Sequence, residues 1–322
     1  MTIPAVQTMV PSLDRQASEQ SPRAIRAAGL DGVAVIDKPA GWTSHDIVAK
    51  SRGVLGTRKI GHSGTLDPAA TGVLVLGVGK ATRLLRFLTE LPKSYVGEIV
   101  LGVETSTLDA DGDVCAAYDM SAVTDEQVRE TARAFVGQTM QVPPMVSAVK
   151  VDGKRLYELA RQGKEVERSA RPVEVYRYDL EPIAEEPGVW RCAVECSSGT
   201  YIRSLAADLG KALGGGAHLR SLRRVAVGGF TVDQATAVDV PVLRPVADAV
   251  AHLPARVVPA EFALRVSHGQ VLDLGVLGLG EHDEGPWAVV DPAGALLAVY
   301  GPSRGRAKPL VVLCAAAAPP RA

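Results

Sequence analysis

One carboxylate in this chain sits where a scaffold would present a reactive group. Asp67 lies within Gly61-His62-Ser63-Gly64-Thr65-Leu66-Asp67-Pro68-Ala69-Ala70-Thr71-Gly72. Pro68 disfavours helical angles for the residue before it and so holds Asp67 extended or in a turn. Gly61, Gly64 and Gly72 permit left-handed backbone and the close approach of another molecule. No other acid occurs between Ile47 and Leu66, whereas Lys50, Arg52, Arg58 and Lys59 are basic. Asp-Pro among glycine and threonine is also ordinary turn chemistry. The run behind it adds weight: residues 73–79 are continuously apolar, the pattern of a buried strand. An acid on a loop feeding a core strand is well placed to act as nucleophile or general base.

The elements that must position this loop follow from the same sequence. A short strand at residues 33–36 ends at Asp37-Lys38-Pro39. Residues 43–55 form a predicted helix, with Thr43 as cap and Asp46 completing a capping box. A second helix is expected at 81–91, stopped by Pro92. Residues 95–103 alternate, so Tyr95, Gly97, Ile99, Leu101 and Val103 share one face of a strand. Residues 124–135 are helical, opened by Thr124 and Gln127 and closed by Gly137. A strand at 190–196 leads into a helix from about Tyr201, whose buried stripe is Ile202, Leu205, Ala206, Leu209 and Leu213. Arg203 lies about 100° around from Ile202, in the first turn. A cation there opposes the helix dipole and calls for an anionic partner, a carboxylate or a phosphate.

Other stretches are less pointed. Asp109, Asp111 and Asp113 fail the calcium-loop pattern, because the twelfth position is Met120, and are expected to form a plain turn. Residues 143–172 carry seven bases against four acids, with a short helix around 156–160 ending at Gly163. Arg220, Arg223 and Arg224 make a further basic cluster. From about residue 254 short apolar runs alternate with glycine and proline turns, the texture of a small all-β module.

Composition sets the bounds. The chain has 322 residues, 47% hydrophobic and 22% charged, with net charge −1. It can bury a large core, and a uniformly basic nucleic-acid binder is excluded, so any RNA site is a local patch. Aromatics at 4% weigh against an RNA surface built mainly on stacking. Cys115, Cys192, Cys196 and Cys314 have no zinc-pair spacing and read as reduced thiols of a cytoplasmic protein. No apolar run reaches the length of a membrane span, and residues 1–28 lack the apolar core of a secretory signal.

Several separated motifs agree in order with one family. The Asp67 run, Asp37-Lys38-Pro39 with Gly41, Lys93-Ser94-Tyr95, Pro143-Pro144-Met145, Gly199-Thr200-Tyr201-Ile202-Arg203 and Leu222-Arg223-Arg224 together resemble the bacterial tRNA pseudouridine synthase B family. The resemblance covers roughly residues 32–230 and weakens beyond about 250. It implies an α+β fold: a catalytic domain at 29–250 on a mixed, mostly antiparallel sheet, then a small β-rich PUA-like RNA-binding domain at 251–314. Residues 143–172 would be an insertion that clamps RNA, and 1–28 and 315–322 disordered tails. The implied reaction isomerises the uridine at tRNA position 55, in the T-arm, without metal or cofactor. Asp67 is then the catalytic carboxylate, as nucleophile or base, Arg203 its partner, and Tyr95 the residue that packs on the target base and shuttles a proton. Tyr201, Leu222 and Lys38 line the substrate site, and His62 fills the space the flipped uridine leaves. The partner is the T-arm of tRNA, not a membrane, and the protein is expected to be a monomer. Two rivals are a non-catalytic RNA-binding protein and a carboxylate-dependent hydrolase; the hydrolase needs a second acid near Asp67, which the local sequence does not supply.

Overall fold

The computed structural model describes residues 30–147, 150–151, 153–156, 159, 162–164 and 166–313. The tails expected at 1–28 and 315–322 lie outside these residues, as does most of the short helix expected at 156–160. Strand β1 (Gly32–Lys38) is followed by helix α1 (Ser44–Leu55), then β2 (Ile60–His62) and β3 (Thr71–Val78). A 3-10 turn (Gly79–Leu84) and a short helix α2 (Leu85–Thr89) lead to β4 (Lys93–Leu101). A hairpin of β5 (Val103–Thr105) and β6 (Val114–Ala117) precedes α3 (Asp125–Ala134) and β7 (Gly137–Gln141). A small hairpin of β8 (Lys150–Val151) and β9 (Lys154–Arg155) follows. Then come β10 (Arg171–Pro182), β11 (Val189–Cys196), α4 (Ile202–Ala212), β12 (Ala217–Val227), β13 (Phe230–Thr231) and β14 (Leu243–Arg244).

Among the described residues a ten-stranded sheet runs β14-β1-β3-β12-β4-β11-β10-β7, with β2 beside β3 and β13 beside β12. Its pairings are antiparallel except β3 with β12, which is parallel. Strand β1 shows why its sequence is an unbroken apolar run: Val33 and Val35 pack into one core, Ala34 and Ile36 into another on the opposite face. A sheet covered on both faces selects such runs over alternation. Helix α1 lays Ile47 and Val48 on one face; α4 lays Ile202, Leu205, Ala206 and Leu209 against Tyr95, Ile99 and Val194 of the sheet. Both predicted capping boxes are present, Thr43 with Asp46 and Thr124 with Gln127. The single helix expected at 81–91 is instead a 3-10 turn and five residues of α-helix.

The C-terminal part holds a five-stranded sheet in the order β15-β17-β18-β19-β16: β15 (Ala255–Val257), β16 (Leu272–Asp273), β17 (Trp287–Val290), β18 (Leu296–Ser303) and β19 (Arg306–Val312). It is β-rich but not all-β, because α5 (Ala260–Ser267) packs on it through Phe262 and Val266. Ala288, Val299, Val311 and Leu313 enter the same core as Val33 and Val73, so this sheet is seated on the larger one. Among the described residues no helix is long and apolar enough to cross a membrane.

Candidate active site

The Asp67 loop connects β2 to β3 and is held from several directions. Ser63 N–H donates to Val75 O at 3.0 Å, and Ala70 N–H closes a turn onto Asp67 O at 3.1 Å. Buried Ser44, in the first turn of α1, accepts from Leu66 N–H at 2.9 Å. Gly41 N–H and the Lys38 ammonium both reach Pro68 O, at 2.9 and 3.0 Å. Gly72 adopts φ +99° because β12 passes close beside it: a Cβ there would stand 2.2 Å from Arg224 O. These backbone tethers leave the Asp67 carboxylate as the group the loop presents.

Its partner comes from α4. Arg203 Nη2 lies 3.0 Å from Asp67 Oδ2, and the arginine is 4% exposed while Asp67 retains 44%. The guanidinium also donates to Thr107 O at 3.0 Å and Val146 O at 2.8 Å. Buried Gln141 of β7 fixes the start of α4, accepting from Tyr201 N–H at 2.7 Å and donating to Tyr201 O at 3.1 Å. The anionic partner required by first-turn position is therefore a carboxylate. Burial raises the Asp67 carboxyl above its ordinary range, with Arg203 opposing and Asp109 adding to the rise.

Asp109 is a site residue that sequence reasoning missed. Its Oδ2 lies 3.3 Å from Arg203 Nη1. It stands behind Arg203 and not among the residues that line the cleft. The turn expected at 109–113 does form, between β5 and β6, and it delivers this carboxylate to the arginine. Nothing near Asp109 in sequence signals a partner almost a hundred residues away.

Asp67, Tyr95, Tyr201, Arg203 and Leu222 line one cleft of about 250 Å³, together with Lys93, Arg224 and residues 197–200. Tyr95, on β4, stands directly across from Arg224 of β12 in register. Burial raises the Tyr95 phenol, and Arg224 opposes the rise. Arg224 is 2% exposed and donates to Val73 O at 2.7 Å, Gly64 O at 3.2 Å and Thr65 O at 3.4 Å. It thus holds the Asp67 loop from below, a role that its basic neighbours in sequence concealed.

Two expected site residues stand elsewhere. Lys38 is fully buried and donates to Pro39 O, Trp42 O and Pro68 O, so its ammonium braces the loop and does not face the cleft. That burial lowers its pKa to about 8. His62 ends β2, off the cleft wall, with its ring edge-on to His45 at 5.6 Å between centroids. Burial lowers its pKa, and among the described residues its Nδ1 has no hydrogen-bond partner. The cluster at 220–224 is not a free basic patch. Arg220 pairs with Glu98 and Glu186, Arg223 with Asp37, and Arg224 is interior.

Comparison with known proteins gives the family. Residues 52–202 match the N-terminal domain model of the TruB family pseudouridylate synthases. Residues 203–265 match a tRNA pseudouridylate synthase B C-terminal domain, and 253–314 the C-terminal domain of tRNA pseudouridine synthase II. The tRNA pseudouridine synthase B of Arthrobacter sp. (strain FB24) is 44% identical over 296 residues, 88% of this chain and 96% of that one. That of Thermobifida fusca (strain YX) is 45% identical over 293 residues, 88% and 98% of the two chains. A chain in a crystal structure of a Cbf5-Nop10-Gar1 complex superposes with TM-score 0.66 at 28% identity, covering 89% of this chain and 83% of that one. These matches define an isomerase that converts uridine to pseudouridine. Within that class, the chain belongs to the TruB family of pseudouridylate synthases.

Proposed function

We propose that this enzyme isomerises uridine 55 in the T-arm of tRNA, with Asp67 as the reacting carboxylate. The observation that carries this reading is the Asp67–Arg203 pair, at 3.0 Å, on the wall of a cleft shared with Tyr95. The reaction breaks the bond from ribose C1′ to N1 of the base and joins C1′ to C5. The proton on C5 is lost and N1 gains one, so the change is redox-neutral and needs no phosphate donor. Each route to it requires an ionised carboxylate at the ribose or base, and Arg203 favours that form against desolvation.

The uridine must leave its stack to enter the cleft, at a cost of a few kcal/mol offset by contacts inside. Tyr95 packs on the base and serves its proton, Tyr201 and Leu222 line the uracil site, and His62 takes the vacated place in the stack. Residues 29–250 carry the chemistry, 143–172 close over the T-arm, and 251–314 bind RNA as a PUA-like module. The match of relatives named tRNA pseudouridine synthase B over 88% of the chain supports tRNA as substrate. The test is tritium release from a T-arm transcript labelled at C5 of uridine. Stoichiometric release is expected, and none from a transcript with cytidine at position 55. No release from the first transcript, or persistent release from the second, overturns the reading.

A further inference from the structure

The chain has three tryptophans, and two are interior: Trp190 is 5% exposed and Trp287 1%. Trp42 is 37% exposed. An indole carries a large apolar surface and a polar N–H, and one part-exposed beside the Asp67 loop is available to a ligand. Trp42 lies just before the first turn of α1, and that turn is fastened to the catalytic loop at two points. The Lys38 ammonium bridges Trp42 O, at 2.7 Å, and Pro68 O, at 3.0 Å. Two residues on, Ser44 Oγ accepts from Leu66 N–H at 2.9 Å. Trp42 is therefore held on the rim of the loop that carries Asp67. From the same turn, exposed His45 meets His62 edge-on, so the rim continues as aromatic surface.

The chemistry of this rim selects a base and not a phosphate. A helix N-terminus usually attracts anions. Here Asp46 already accepts from Thr43 N–H at 2.9 Å and from Thr43 Oγ1 at 2.6 Å, and its carboxylate repels a phosphate. The part-exposed indole remains, and every nucleobase presents a π-face that can stack on an aromatic ring.

We propose that Trp42 is a stacking platform for an unpaired nucleobase of the substrate RNA, outside the cleft that takes the target uridine. This rests on the RNA substrate proposed above. The base comes from the looped part of the RNA, because a base held in a duplex has no free face.

The test titrates full-length protein with a T-arm stem-loop and follows tryptophan fluorescence. Trp190 and Trp287 are shielded, so quenching is expected in the parent and absent in Trp42→Phe. Trp42→Ala is expected to weaken binding by roughly 5- to 150-fold, the range for losing one base–aromatic stack, and Trp42→Phe by only a few-fold. Hairpins carrying one abasic nucleotide at a time then locate the base. One position costs affinity in the parent and nothing in Trp42→Ala. Unchanged affinity of Trp42→Ala, or a parent that binds without quenching, overturns the platform while leaving the isomerase reading intact. A parent that binds the hairpin but releases no tritium overturns the isomerase reading instead.

Discussion

Replacing Arg203 by lysine removes geometry while keeping charge. The guanidinium meets four acceptors: Asp67 Oδ2 at 3.0 Å, Asp109 Oδ2 at 3.3 Å, Thr107 O at 3.0 Å and Val146 O at 2.8 Å. A planar fork spans them from two nitrogens; an ammonium radiates three donors from one point and cannot. At least two contacts are lost, each worth on the order of 1–1.5 kcal/mol, up to the low end for a charged group. A loss of about 2–3 kcal/mol in the orientation of Asp67 slows the chemical step by roughly 30- to 150-fold. The assay is single-turnover pseudouridine formation with enzyme in excess, alongside a thermal melt. The melting temperature should fall by only a few degrees, since the other core contacts of α4 remain. Turnover within threefold of the parent refutes the claim that Arg203 acts by spanning these four acceptors at once.

Asp109→Asn removes a like charge that raises Asp67, so the acid limb of the kcat/KM profile moves to lower pH; Arg203→Gln moves it to higher pH. A pH profile showing either shift with the opposite sign contradicts the shared-arginine geometry. The plateau in Asp109→Asn should also fall about tenfold or more, because Arg203 loses one of its holds. Gly72→Ala should cost several kcal/mol by denaturant titration, because its Cβ would meet backbone of β12 at 2.2 Å in a left-handed conformation; a change under about 1 kcal/mol argues against that close approach. Exposed Arg58 and Lys59 should each contribute a little under one unit to the log–log salt slope of RNA binding, while Arg220→Ala leaves the slope unchanged, because Arg220 is neutralised by Glu98 and Glu186. Titrations of the three alanine variants over a range of salt decide this.

Much of the site was legible because its signals are local. Pro68 and the glycines mark a constrained loop, Thr43 with Asp46 marks the start of α1, and the first-turn place of Arg203 demands an anion. What stayed hidden depends on contacts between distant residues. Asp109 looks like turn chemistry whether or not it reaches Arg203, and only the β5–β6 hairpin brings it there. Arg220, Arg223 and Arg224 look like a basic patch until β4 and β1 supply Glu98 and Asp37 and the sheet covers Arg224. Lys38 sits in a motif that promises a substrate contact, yet its strand faces it into the interior, where three carbonyls hold it. Helix α5 could have been found, since Phe262 and Val266 are spaced i, i+4 after Pro259.

The central claim is that one carboxylate does the chemistry, and Asp67→Asn tests it most directly. Asparagine is nearly isosteric and accepts the same turn, so the tethers at Ser44, Gly41 and Lys38 survive. It cannot serve as carboxylate nucleophile or base. Pseudouridine yield is measured with enzyme in excess, together with a T-arm binding titration. The expected result is no product, with affinity changed by less than about tenfold, or roughly 1.4 kcal/mol. Measurable product from the folded variant would remove Asp67 from the reaction.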